Sequence, residues 1–207
     1  MNERVLIFDF DGTIADTHFY LCSISNQLSS EFMFEKIKWD EINLLKDKSA
    51  REVITHLKIP VFKIPAIVAK GKQEFGKNID GLKPFHGLRD VLCQLKEKSV
   101  RIGILSSNSS NNITQFLNNH DLNIFDFVYT TTKIWTKNTS LKKMIQDHQL
   151  SKGRIIYVGD EIRDIHAAKK IGVKVAAVAW GYNSILALKQ HNPDFLICHP
   201  SELLRLV

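Results

Sequence analysis

The sequence predicts an α/β fold, a parallel-sheet core that carries a small helical insert. Three observations point to it. Short apolar runs recur along the chain, they are nearly continuous rather than alternating, and helix-like stretches separate most of them. A strand buried on both faces has no polar face to alternate with, so a continuous apolar run between helices reads as a parallel βαβ unit. The first run is Val5 to Phe8. The others are Val100 to Leu105, Phe127 to Tyr129, Ile155 to Val158, Val175 to Val178, and Phe195 to Ile197. The helix-like stretches are Leu88 to Lys98, Asn111 to Asn119, Leu141 to His148, Ile162 to Lys170, Ser184 to His191, and Ser201 to Leu206.

One region breaks this rhythm. Residues 17–82 contain no convincing strand, and Phe19, Leu21, Ile24 and Leu28 recur at helical spacing, as do Val53, Ile54 and Leu57. Pro60 and Pro65 punctuate the segment, and Gly81 and Pro84 close it. We expect an inserted helical domain over 17–82, with the core formed by 1–16 and 83–207.

Composition narrows the function classes. The chain of 207 residues is 44% hydrophobic and 24% charged, which excludes disorder and low complexity and allows one real core. No apolar run is long enough to span a membrane, and Asp9 and Asp11 interrupt the segment where a signal peptide would need apolar residues. Cys22, Cys93 and Cys198 lie far apart, with no metal-ligand or disulfide spacing, so a cytoplasmic location is expected. The net charge of +6 suggests an acidic partner. Residues 17–82 hold ten basic against eight acidic side chains, and residues 83–207 hold 17 against ten. That excess forms no stripe interleaved with aromatics, so no nucleic acid is expected and a small anionic substrate fits better.

Inside this basic chain the sharpest acidic cluster follows the first apolar run: Asp9-Phe10-Asp11-Gly12-Thr13. Functional groups collect at the carboxyl ends of parallel strands, and the two carboxylates leave a buried strand together. A second acidic group follows the run Ile155 to Val158, in Gly159-Asp160-Glu161-Ile162-Arg163-Asp164. The spacing of Asp160 and Asp164 puts them on one side of a helix start. Hard oxygen donors from two strand ends suit Mg²⁺. Ser106-Ser107-Asn108 follows the second run, where hydroxyls and backbone N–H groups at a helix start hold phosphate oxygens. Lys137 precedes the helix near Ser140 and can act as a point charge on a phosphoryl group.

Asp9-Phe10-Asp11-Gly12-Thr13-Ile14, Ser107-Asn108, a lysine, and Gly159-Asp160 with Asp164 together resemble the ordered motifs of the haloacid dehalogenase superfamily. The resemblance spans nearly the whole chain. Pro84-Phe85-His86-Gly87 and Trp180-Gly181-Tyr182 bring it close to the phosphoglycolate-phosphatase-like subgroup. It implies a Rossmann-like core, with the helical insert in the position of a cap domain. It also implies a Mg²⁺-dependent phosphomonoester hydrolase, with Asp9 as nucleophile and Asp11 as general acid and base. Asp9, Asp160 and the Asp11 backbone carbonyl would hold the metal, with Asp164 a ligand or an anchor for its water shell. Ser107, Asn108 and Lys137 would bind the phosphoryl group, and Ser106 and Lys133 are the alternatives for Ser107 and Lys137. Dehalogenases of the family lack an acid at the position of Asp11, because a halide leaves without a proton. The implied partner is a small phosphorylated metabolite, acted on by a monomer or weak dimer. A phosphomutase of the same superfamily and a non-catalytic phosphate-binding protein are the alternatives.

Several weaker patterns have ordinary explanations. Gly71 to Asn78 nearly spells a phosphate-binding loop, but Asn78 replaces the Ser or Thr that would hold Mg²⁺, and no strand precedes it. It reads as a solvated helix end. Lys48, Ser49 and Arg51 fit a charged helix face better than substrate contacts, Trp180 and Tyr182 fit packing under the sheet edge better than the rim of the site, and the cysteines read as small apolar packing residues.

Overall fold

The computed structural model describes residues 4–131 and 137–207. Its centre is a six-stranded sheet: β1 (Val5–Phe8), β2 (Arg101–Ser106), β3 (Phe127–Thr130), β4 (Ile155–Gly159), β5 (Lys174–Val178) and β6 (Phe195–Ile197). The order across the sheet is β3-β2-β1-β4-β5-β6, and every neighbouring pair is parallel. β1 therefore lies between β2 and β4, with Phe8 level with Ile104 on one side and Val158 on the other. Each of the expected runs forms a strand, with bounds shifted by one residue at most.

The sheet separates two cores. Leu6 and Phe8 face α5 (Leu88–Glu97), α6 (Ser110–Asn119) and the C-terminal 3₁₀ segment Pro200–Leu206, in a cluster with Leu92, Leu95, Phe116 and Leu203. Val5 and Ile7 face α7 (Lys137–Asp147), α8 (Ile162–Ile171) and α9 (Ile185–Gln190), in a cluster with Leu141, Met144, Ile165 and Leu188. This period-two division within β1 is what a strand buried on both faces requires. The last helix-like stretch differs from expectation in pitch, because Pro200 opens it and it winds as a 3₁₀ helix.

Residues between β1 and α5 form α1 (His18–Phe32), α2 (Ile42–Leu45), α3 (Ala50–His56) and α4 (Ile64–Gly76), with no strand among them. Backbone bonds tie the way out to the way back. Asp16 N donates to Lys83 O at 2.9 Å, and Phe85 N donates to Ile14 O at 3.1 Å. Within the segment α1 packs on α4, with Ile24 and Leu28 beside Gly71. Ile24 and Leu28 are buried as their spacing predicts, but Phe19 is 63% exposed and lies beside Trp39. The glycine-containing stretch from Gly71 is the end of α4, yet Phe75 is fully buried, so only part of it is solvated. Cys198 is exposed and is not a packing residue.

Candidate active site

The site forms where β1, β2 and β4 end beside one another, at the point where the chain order reverses across the sheet. Directly after β1 the backbone closes a tight turn. The N–H groups of Thr13, Ile14 and Ala15 all converge on Phe10 O. Gly12 has φ +77°, and a Cβ there would collide with a carboxylate oxygen of Asp160 and with the Tyr182 ring. Only glycine fits both the left-handed backbone and that approach.

Three carboxylates meet below this turn. Asp9 is 3% exposed, and Asp160 and Asp164 are fully buried. Each offers one oxygen, and these oxygens lie within 4.8 Å of one another. Asp9 comes from the end of β1, Asp160 from the end of β4, and Asp164 from the first turn of α8. Asp164 also accepts from Glu161 N at 3.1 Å, which fixes it at the helix start. Lys137, 7% exposed at the start of α7, donates to Asp9 Oδ2 at 2.5 Å and pairs with Asp164 as well. Burial works against the lysine's charge, but Asp164 and then Asp9 outweigh it and raise its pKa well above the ordinary value.

Asp160 has its own set of donors. Thr13 Oγ1 donates to its Oδ1 at 2.6 Å, and Tyr182 N donates to its Oδ2 at 2.8 Å. Burial, then Glu161, Asp164 and Asp9, still push its pKa well above the carboxylate range. Burial likewise raises Asp164 to about 6, with Lys137 opposing the shift. This is the electrostatic signature of crowded carboxylates that need a cation. An all-oxygen donor set of this kind fits a hard divalent ion such as Mg²⁺.

Asp11 stands apart from the three. Its side chain turns to Asn108, whose Nδ2 donates to both of its oxygens at 3.3 and 3.2 Å. Burial and then the Asp9 charge push the Asp11 carboxyl up to about 7. Asn108 is itself held in place, because its Oδ1 accepts from Ser109 N and from Asn112 Nδ2. Of the two serines after β2, Ser106 is buried and its Oγ accepts from Asn108 N at 3.0 Å. Ser107 lines the cavity over the site. Lys133 lies outside the described residues.

Sequence reasoning missed Thr13, Arg163 and Glu161, and preferred packing to the rim of the site for Tyr182. Arg163 and Glu161 pair with each other, Nε to Oε1 at 2.8 Å, and line the cavity. Although burial opposes it, the negative charge of Glu161, Asp9 and Asp164 raises the Arg163 pKa. Tyr182 also lines the cavity, and its hydroxyl lies 2.7 Å from Thr17 Oγ1. Trp180 does pack, against Phe85, and its Nε1 donates to Thr13 O. Thr13 was legible as a polar residue in an acidic turn, but nothing in the sequence says which carboxylate it serves. Lys48 also lines the cavity, whereas Ser49 caps α3 as the charged-face reading allows.

A fold with its acidic cluster at this switch point, and a lysine buried within it, defines a class. The family model described as haloacid dehalogenase-like hydrolase matches residues 6–178. The chain belongs to that family of hydrolases. Among its relatives is a phosphoglycolate phosphatase of Synechococcus elongatus, 32% identical over 205 residues, covering 99% of this chain and 97% of that protein. A pyrophosphatase PpaX of Oceanobacillus iheyensis is 22% identical over 215 residues, covering 100% of this chain and 98% of that one. A predicted phosphatase from Clostridium acetobutylicum has a similar structure, with TM-score 0.84, 18% identity, and coverage of 98% of this chain and 97% of that chain. A haloacid dehalogenase-like family protein from Streptococcus pneumoniae matches with TM-score 0.81, 20% identity, and coverage of 99% and 98%. These structural matches speak for the fold. Among the described residues, no helix is long and apolar enough to cross a membrane.

Proposed function

We propose that the protein is a Mg²⁺-dependent phosphomonoester hydrolase that works through an aspartyl phosphate on Asp9. The observation that carries this reading is the pairing of two unlike carboxyls on one strand end. Asp9 is held against Lys137, while Asp11, two residues on, is pushed toward its protonated form.

Asp9, Asp160 and Asp164, with the Asp11 carbonyl, would hold Mg²⁺, whose charge offsets repulsion between a carboxylate and an incoming phosphoryl group. Lys137 holds Asp9 in an ion pair and offsets the charge of phosphoryl oxygens, to which Ser107 donates a hydrogen bond. The Asp9 carboxylate attacks phosphorus, and the bond from phosphorus to the ester oxygen breaks. Asp11 delivers its proton to that leaving oxygen, with its carboxyl aimed by Asn108. Asp11, now ionised, takes a proton from water as the water attacks phosphorus, which frees Asp9 and releases phosphate. The helical segment 17–82 serves as a cap, hinged where Asp16 and Lys83 are paired, and its closure excludes bulk water from the aspartyl phosphate.

The relatives named for phosphoglycolate and pyrophosphate hydrolysis support phosphoryl transfer to water. The test is phosphate release from an aryl phosphate by purified protein with Mg²⁺. Release that EDTA stops supports the reading. Folded, metal-loaded protein that releases none from a broad panel of esters rejects it.

A further inference from the structure

A cavity of about 430 Å³ opens from the catalytic residues into the helical segment. Its near end is formed by Asp11, Ser107, Asn108 and Arg163. Its far wall is apolar and is drawn from three helices: Leu45 of α2, Val53 and Ile54 of α3, and Ile64, Ile67 and Phe75 of α4. Four cationic side chains also line the cavity: Lys46 directly after α2, Lys48, Lys72 of α4, and Arg163. Lys46 Nζ donates to Gly181 O at 3.4 Å, and burial lowers the Lys72 pKa with the charge of Asp11 opposing. Lys48 also borders the shallow outer pocket with Arg51 and Glu52. His18, which lines the cavity as well, is kept neutral at ordinary pH by burial and then Lys46, its pKa lowered to about 4.

From this geometry we infer that the leaving group of the substrate has an apolar body, that of an alkyl, prenyl or aryl alcohol. The inference rests on the phosphomonoesterase reading, since it takes Asp11 as the group that protonates the leaving oxygen. That oxygen must then lie at the near end of the cavity, and whatever it carries extends toward the apolar wall. A carboxylate or second phosphate set against those apolar side chains loses hydration unless a lysine of the lining reaches it. An apolar chain gains from every methylene it removes from water. The volume is roughly three times the ~150 Å³ that accommodates a benzene ring, so a leaving group on the order of ten or more carbons fits.

The experiment is a kcat/KM series for methyl, butyl and octyl phosphate, beside phosphoglycolate and an aryl phosphate, with the Mg²⁺-loaded full chain. The inference expects a rise of about two- to fourfold per methylene until the cavity is filled, with octyl phosphate far ahead of phosphoglycolate. A flat or falling series, or a preference for phosphoglycolate, overturns it and leaves the phosphatase reading intact. Hydrolysis of no ester overturns both. Calorimetry with octylphosphonate and methylphosphonate checks the same point without turnover, and the longer chain should bind more tightly with a negative heat-capacity change. Ile67→Asn should lower the octyl-to-methyl ratio of kcat/KM at least several-fold. Val53→Thr, close in volume, should lower it too if the first variant folds poorly. An unchanged ratio in folded variants counts against the cavity as the site of the chain.

Discussion

Asp160 accepts from Thr13 at one oxygen and from the backbone of Tyr182 at the other, and it sits against Gly12 and Gly181, where any side chain would strike it. A carboxylate so constrained cannot rotate to find a metal; it is already aimed. Removing the Thr13 hydroxyl with the isosteric Thr13→Val should therefore weaken Mg²⁺ by about 10- to 100-fold, read as the Mg²⁺ concentration needed for half-maximal activity. An unchanged requirement would show that the hydroxyl does not orient Asp160. Asp11→Asn tests a different atom. An alkoxide needs a proton to leave and a nitrophenolate hardly does, so the variant should lose about 10²- to 10⁴-fold on alkyl esters and much less on p-nitrophenyl phosphate in the first step. Equal losses in single-turnover phosphoryl transfer would remove Asp11 as the acid. At this scale the sequence showed Asp9, Asp11, Asp160 and Asp164 because each leaves an apolar strand or opens a helix within a short polar motif. It did not show Thr13, Arg163 or Tyr182 as part of the site, because their partners come from distant motifs and depend on how close the backbones approach.

Each element places its residue by ordinary means. β2 is anchored at its start by Asp126, which accepts from Ile102 N at 2.8 Å and from Lys96 Nζ at 2.7 and 2.8 Å. Burial opposes its charge, but these donors win and hold its pKa below the ordinary value. A depressed folded pKa means that the stabilisation is complete above the unfolded carboxylate pKa and is lost as pH falls through the folded one. Asp126→Asn should therefore cost stability at neutral pH and show a smaller loss on acidification. The cost is about 1 kcal/mol or less, because the pair with Lys96 is a third exposed. Denaturant midpoints at neutral and acid pH check this. In α3, Ser49 and Glu52 form a reciprocal cap, so Ser49→Ala should cost about 1 kcal/mol by the same measurement. The strands were legible because both-face burial writes itself as an apolar run. The pairing of Asp16 with Lys83 was not, since a backbone bond between residues far apart in sequence leaves no compositional trace.

Across the whole molecule, a chain of net charge +6 gathers three buried carboxylates at one sheet edge. A cation bound among Asp9, Asp160 and Asp164 relieves repulsion that the folded chain otherwise carries, so Mg²⁺ should raise Tm and EDTA should reverse the rise. No shift at millimolar Mg²⁺ would contradict the assignment of those carboxylates as ligands. The sheet could be read from the order of apolar runs, and the helices between β1 and α5 from helical spacing. The cavity in the insert could not, because its wall is assembled from separate helices whose individual patterns record only a buried face.

In the proposed reaction Asp9 forms a covalent bond to phosphorus. The most direct test of that bond is rapid acid quench of the Mg²⁺-loaded protein during turnover, followed by peptide mass spectrometry. One phosphoryl group is expected on the peptide that contains Asp9, lost in Asp9→Asn together with nearly all activity while the variant remains folded. A phosphoryl group on another residue, or Asp9→Asn protein that still turns over, would contradict it.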